Sequence, residues 1–228
     1  MLDSMKVCDI PAVVRILRQA YATQEAPVAD FQRVRTRAPY RVLVATILSA
    51  RTKDQTTSEA SLRLFKRAAS LADLRRIPAR ELERLIYPVG FYRTKARHLG
   101  QLPEAVDRLC GGRIPDTVEG LVRLPGVGRK TANLVVAEAF DRPAICVDVH
   151  VHRICNRLGL LRTRTPLETE MTLRRRLPVR YWKTFNPYLV SYGQTVCTPL
   201  NPRCDQCRLL PYCTRRGVKT RHPPREQP

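Results

Sequence analysis

Four cysteines fall within seventeen residues near the end of the sequence: Cys197, Cys204, Cys207 and Cys213, spaced Cys-x6-Cys-x2-Cys-x5-Cys. Four thiolates from one short, loop-rich segment can wrap a single inorganic centre. The spacing by itself leaves zinc and iron–sulfur both open. Zinc sites usually pair Cys-x2-4-Cys knuckles set well apart, and only one Cys-x2-Cys occurs here. The run also differs from the common ferredoxin spacings. A second group with chemical potential lies upstream, Leu124-Pro125-Gly126-Val127-Gly128-Arg129-Lys130. Glycines let a main chain turn sharply and approach a ligand closely. The N–H groups of Gly126, Gly128 and the helix that follows can converge on an anion, aided by the helix dipole. Lys130 stands two residues past Gly128, in the first turn of that helix. The positive helix end disfavours its ammonium form, as would desolvation under a bound polyanion, and a neutral amine is a nucleophile. Asp148 follows a short apolar run and suits a helix N-cap, where the dipole favours a carboxylate.

These groups need elements to position them, and most segments read as helices. Apolar residues recur at helical spacing over 11–22. Residues 39–49 form a largely apolar segment that reads as a buried helix, with a strand possible because of its β-branched content. Amphipathic helices are expected over 54–68, 79–87, 95–109, 167–177 and 186–195. Asp116 or Thr117 can cap a helix reaching about Arg123, and Arg129–Phe140 follows the glycine turn. Asp148 opens a further helix that Gly159 ends. No segment alternates long enough for a convincing sheet. The tail from Thr214, rich in Arg and Pro, is expected to be loosely ordered.

The 228 residues carry 41 Lys+Arg against 20 Asp+Glu, a net charge of +21. An excess of that size favours a polyanionic partner. It is unevenly spread: residues 161–185 and 197–228 each hold seven basic and two acidic groups. No apolar run approaches the roughly 20 residues of a membrane span, and the first residues lack a signal-peptide layout. Nucleic acid in a cytosolic compartment, nucleoid-associated if the source is bacterial, is the expected setting. No membrane partner is expected, and the chain reads as a monomer. Cys8, Cys110, Cys146 and Cys155 are scattered and read as buried hydrophobes or idle thiols.

Leu124–Asn133 resembles the helix-hairpin-helix of the endonuclease III family. Val147-Asp148-Val149-His150-Val151-His152-Arg153 is similar to that family's Asp-containing loop, and the cysteine run to its iron–sulfur loop. The three motifs stand in the family's order, and the resemblance extends from about Pro39 to Cys213. It implies an all-α, two-lobed helix-hairpin-helix DNA glycosylase. One lobe spans 32–141. The other joins 1–31 to 142–228 with the cluster loop, and the lesion pocket is expected between them, Lys130 facing Asp148. The resemblance assigns Lys130 as the nucleophile, Asp148 as its essential carboxylate, and Cys197, Cys204, Cys207 and Cys213 as ligands of a 4Fe–4S cluster. Arg203 and Arg208 in that loop would meet phosphates of double-stranded DNA bearing a damaged base or an abasic site, alongside Gly126, Val127 and Gly128 of the hairpin. A flipped base leaves a gap that side chains must fill. Arg51 stands where the family has a Gln for that purpose, a departure that bears on opposite-base preference. Phe91, in Val89-Gly90-Phe91-Tyr92, matches the family's apolar wedge. His150 and His152 are expected to pack or touch DNA. Two rival readings are a monofunctional mismatch glycosylase, whose family lacks the hairpin lysine, and a non-catalytic hairpin DNA-binding module.

Overall fold

The computed structural model describes residues 5–23 and 38–218, and every regular element among them is helical. In chain order the α-helices are α1 Ile10–Thr23, α2 Pro39–Ser49, α3 Asp54–Arg67, α4 Leu71–Arg75, α5 Ala79–Ile86, α6 Tyr92–Cys110, α7 Val118–Leu121, α8 Arg129–Ala139, α9 Val149–Leu158, α10 Pro166–Arg176 and α11 Trp182–Thr195. Short 3-10 turns lie at Val7–Asp9, Val179–Tyr181, Cys204–Gln206 and Leu210–Tyr212. The chain divides into two compact units, Pro27–Ala144 and Met1–Ala26 with Ile145–Pro228. The edge expected at residue 32 and the end of the basic tail lie outside the described residues.

In the 27–144 unit, α2 is the central helix. Pro39 occupies its first turn, where a proline's fixed φ suits a helix start and its missing N–H costs nothing. Every residue from Val42 to Leu48 is buried, so the segment whose β-branched content also allowed a strand is a helix packed on all sides. It packs against α3 and α8. Leu64, Leu82, Ile86, Leu99 and Leu102 fill the space below with no measurable exposure beyond 1%. In α3, Asp54 in the first turn and Lys66 and Arg67 in the last complement the helix dipole. Helix α6 ends where Gly111 takes a left-handed conformation.

In the other unit, α11 packs against both α1 and α9. Phe185, Leu189, Ile10, Leu17, Ile154 and Cys155 meet in its core. Asp148 caps α9 by accepting from His150 N and Val151 N, both at 2.9 Å, and Gly159 ends the helix with φ 80°. Thr165 caps α10 by accepting from Glu168 N. The start of the expected loose tail is held in place: Thr214 Oγ1 and Arg216 N donate to Arg157 O at the end of α9. Two other features differ from the expectation. Helix α4 has five residues and rests on a Ser70–Asp73 capping box, too short to leave a periodic trace. Helix α11 starts at Trp182, four residues before the expected start, so Pro187 lies inside its first two turns.

Candidate functional site

The glycine turn is built from its own backbone and from α6 beneath it. Thr117 caps α7, Leu124 N donates to Leu121 O, and Val127 N donates to Leu124 O at 3.2 Å. Gly126 has φ 76°, and a Cβ there would stand 2.8 Å from His98 Nδ1. Only glycine meets both constraints. Gly128 differs. Its backbone is extended, and a Cβ there would meet nothing within 4 Å. The fold therefore leaves open space where this glycine lacks a side chain. Val127 is 7% exposed and its N–H is spent inside the turn, so its part is to anchor the turn rather than to offer a donor. Lys130 is exposed in the first turn of α8.

Arg51 and Phe91 come from different segments of the same unit and are brought together. The Arg51 guanidinium carbon lies 5.5 Å from the centroid of the Phe91 ring. Both residues are exposed, Phe91 at 62%. Both have left-handed backbones, with φ 54° and 58°. Such strain in a residue other than glycine persists only where the surroundings hold it. A cavity of about 460 Å³ elsewhere in this unit, lined by Leu109, Arg113, Ile114 and Phe140, contains none of the expected site residues.

Asp148 belongs to the other unit and is 8% exposed. Of the two histidines on its helix, His152 bonds Thr169 Oγ1 at 2.7 Å. His150 stands beside Arg153 and against Gly193 of α11, where a Cβ would be 2.4 Å from its Nδ1. Both histidines therefore serve helix packing.

The four loop cysteines carry free thiols and line one cavity. Among the described residues, no three His, Cys, Asp or Glu side chains converge as a single-ion site. Four soft sulfur donors bordering one cavity fit a thiolate-bound metal centre, zinc or iron–sulfur. Burial, followed by mutual repulsion among the sulfurs, pushes the Cys204 thiol up, and burial pushes Cys213 to about 11. Without a cationic centre this loop disfavours thiolates. The unit also supplies hydrogen-bond partners for sulfur: Arg157 Nη1 donates to Cys197 Sγ at 3.3 Å, Arg215 N donates to Cys213 Sγ at 3.4 Å, and the Tyr192 hydroxyl lies 3.3 Å from Cys207 Sγ. Sequence reasoning missed Arg157 and Tyr192, which lie on helices that read simply as packing elements. Arg203 is exposed at the cavity rim, while Arg208 donates to Gln19 Oε1 of α1.

Residues 44–179 match the HhH-GPD superfamily base excision DNA repair protein family. The chain belongs to this superfamily. Among HhH-GPD relatives, the endonuclease III of Thermotoga maritima is 45% identical over 175 residues, covering 77% of this chain and 82% of that protein. The endonuclease III of Bacillus subtilis is 40% identical over 182 residues, covering 79% and 83%. A solved HhH-GPD structure, a trapped covalent endonuclease III–DNA intermediate with an estranged adenine, superposes with a TM-score of 0.82 at 32% identity, covering 92% of this chain and 97% of that one.

Proposed function

We propose that this base excision repair enzyme is a bifunctional DNA glycosylase and AP lyase in which Lys130 is the nucleophile. The supporting observation is an exposed lysine in the first turn of α8, immediately after the Gly126–Gly128 turn, in a chain of the endonuclease III type. The Lys130 amine adds to C1′ of the damaged nucleotide, and the base departs with the electrons of the glycosidic bond. The amine loses a proton and the sugar ring opens to a Schiff base. Loss of a C2′ proton then expels the 3′ phosphate by β-elimination. Asp148 is the carboxylate that offsets positive charge as the glycosidic bond stretches. Its hydrogen bonds to His150 N and Val151 N fix the carboxylate at the head of α9. The open space at Gly128 admits a DNA phosphate to the helix end. Oxidised or ring-saturated pyrimidines in double-stranded DNA are the substrate class that the family resemblance implies. The compartment is the cytoplasm, at the nucleoid if the source is bacterial.

Cys197, Cys204, Cys207 and Cys213 would hold a 4Fe–4S cluster. Such a group supplies a rigid crosslink to the loop, since base excision transfers no electrons. Arg203 at its rim is a phosphate contact of that loop.

Borohydride reduction of a mixture with a duplex containing one thymine glycol tests the reading. A covalent adduct is expected with the native chain and none with Lys130→Ala. An adduct on an abasic duplex alone would keep the lyase and change the lesion. No adduct on either, from a folded protein that binds DNA, would replace the lyase with a monofunctional glycosylase or a binding module.

A further inference from the structure

Lys95, in the first turn of α6, is 6% exposed. Its Nζ donates to Leu48 O at 2.7 Å, Ala50 O at 2.6 Å and Thr52 Oγ1 at 3.1 Å. An ammonium has three donors, and here each has an acceptor. The two carbonyls belong to the end of α2, where helix carbonyls lack intrahelical partners. Thr52 Oγ1 also accepts from Gly90 N at 3.1 Å. The segments are so close that a Cβ on Gly90 would stand 2.6 Å from Arg51 O. One buried cation therefore ties residues 48–52 to residues 89–91. The residues on the outer side of this tie are Arg51 and Phe91, the two with left-handed backbones and stacked side chains.

We propose that Lys95 is a positioning residue for base flipping: acting through Thr52, it holds the strained backbones of Arg51 and Phe91 so that guanidinium and ring enter the duplex gap as a preassembled pair. The inference rests on reading that pair as the gap-filling residues. Lys95 touches neither the lesion nor the reacting atoms. Its effect belongs to the step in which a base leaves the stack. A substrate with no stack to fill is insensitive to it.

The test compares native protein with Lys95→Met and Thr52→Val. Thr52→Val keeps shape and leaves the buried lysine in place, so it carries the test if Lys95→Met fails to fold. The first readout is fluorescence of 2-aminopurine placed beside the lesion in a duplex, which rises as the base unstacks. The second is borohydride trapping on a single-stranded abasic oligonucleotide. Unstacking is expected to slow roughly tenfold or more in either variant, with trapping on the single strand within about twofold of native. Native-like unstacking in a folded variant overturns the proposal. Equal losses on both substrates also overturn it, since they mark a general structural role. Arg51→Ala and Phe91→Ala in the same assay separate the two levels. If both leave unstacking intact, the insertion reading fails and the proposal falls with it. If they slow it while Thr52→Val does not, only the role of Lys95 is lost.

Discussion

At the scale of single residues, the two hairpin glycines have separable purposes. Gly126 is demanded by its φ and by His98, whereas Gly128 answers to nothing in the chain itself. Gly128→Ala is therefore expected to change the unfolding free energy by less than about 1 kcal/mol. Duplex affinity should fall roughly tenfold, about 1.4 kcal/mol, as a methyl group intrudes on the phosphate. Urea unfolding beside fluorescence anisotropy would check both halves. Lys95 gives a second prediction. Burial lowers its amine from the usual 10.5 to about 8. Below pH 8 the folded and unfolded states both carry the proton. Between pH 8 and 10.5 the unfolded chain still binds a proton that the folded one sheds, so stability rises with pH across that window. In Lys95→Met this part of the rise should vanish from the pH dependence of the urea midpoint.

At the scale of elements, the tie between the end of α2 and the start of α6 depends on a close backbone approach. Gly90→Ala places a Cβ against the Arg51 carbonyl, with backbone on both sides. A cost of about 1–3 kcal/mol is expected. Excision from duplex DNA should fall further than trapping on a single-stranded abasic oligonucleotide, and differential scanning calorimetry would give the stability term. The helices were largely legible in the sequence because capping and periodicity act locally. Asp148 and Gly159 bracket α9 in sequence and in structure alike. The tie was not legible. A lysine at the head of an amphipathic helix counts as polar in any periodic pattern, so an expected helix that began at Lys95 carried no sign of its burial. Its burial follows from three acceptors that lie 43 to 47 positions upstream, a long-range satisfaction that no local window contains. The left-handed turns at Arg51 and Phe91 were hidden for a related reason. Such conformations usually announce themselves through glycine or asparagine, and here tertiary contacts impose them on other residues. The cysteine loop was visible as spacing, while the sulfurs' partners Arg157 and Tyr192 were visible only once the helices had packed.

At the scale of the whole molecule, the net charge of +21 implies DNA binding that weakens steeply with salt. Arg203 offers a clean handle because it is exposed, whereas Arg208 is engaged with Gln19. Arg203→Ala is expected to reduce the slope of log affinity against log salt by about one, with little change between DNA sequences. Anisotropy titrations over a range of potassium chloride would show a parallel line if Arg203 meets no phosphate. The two compact units also separate the chemistry: the hairpin and Lys130 belong to one, Asp148 and the cysteines to the other. Within the latter, Cys155 shares a core with three of the loop cysteines yet is completely buried, and that burial pushes its thiol up. A thiol sealed away and held protonated is a poor nucleophile, so alkylating reagents and oxidants in solution should react with the partly exposed loop cysteines and pass Cys155 by.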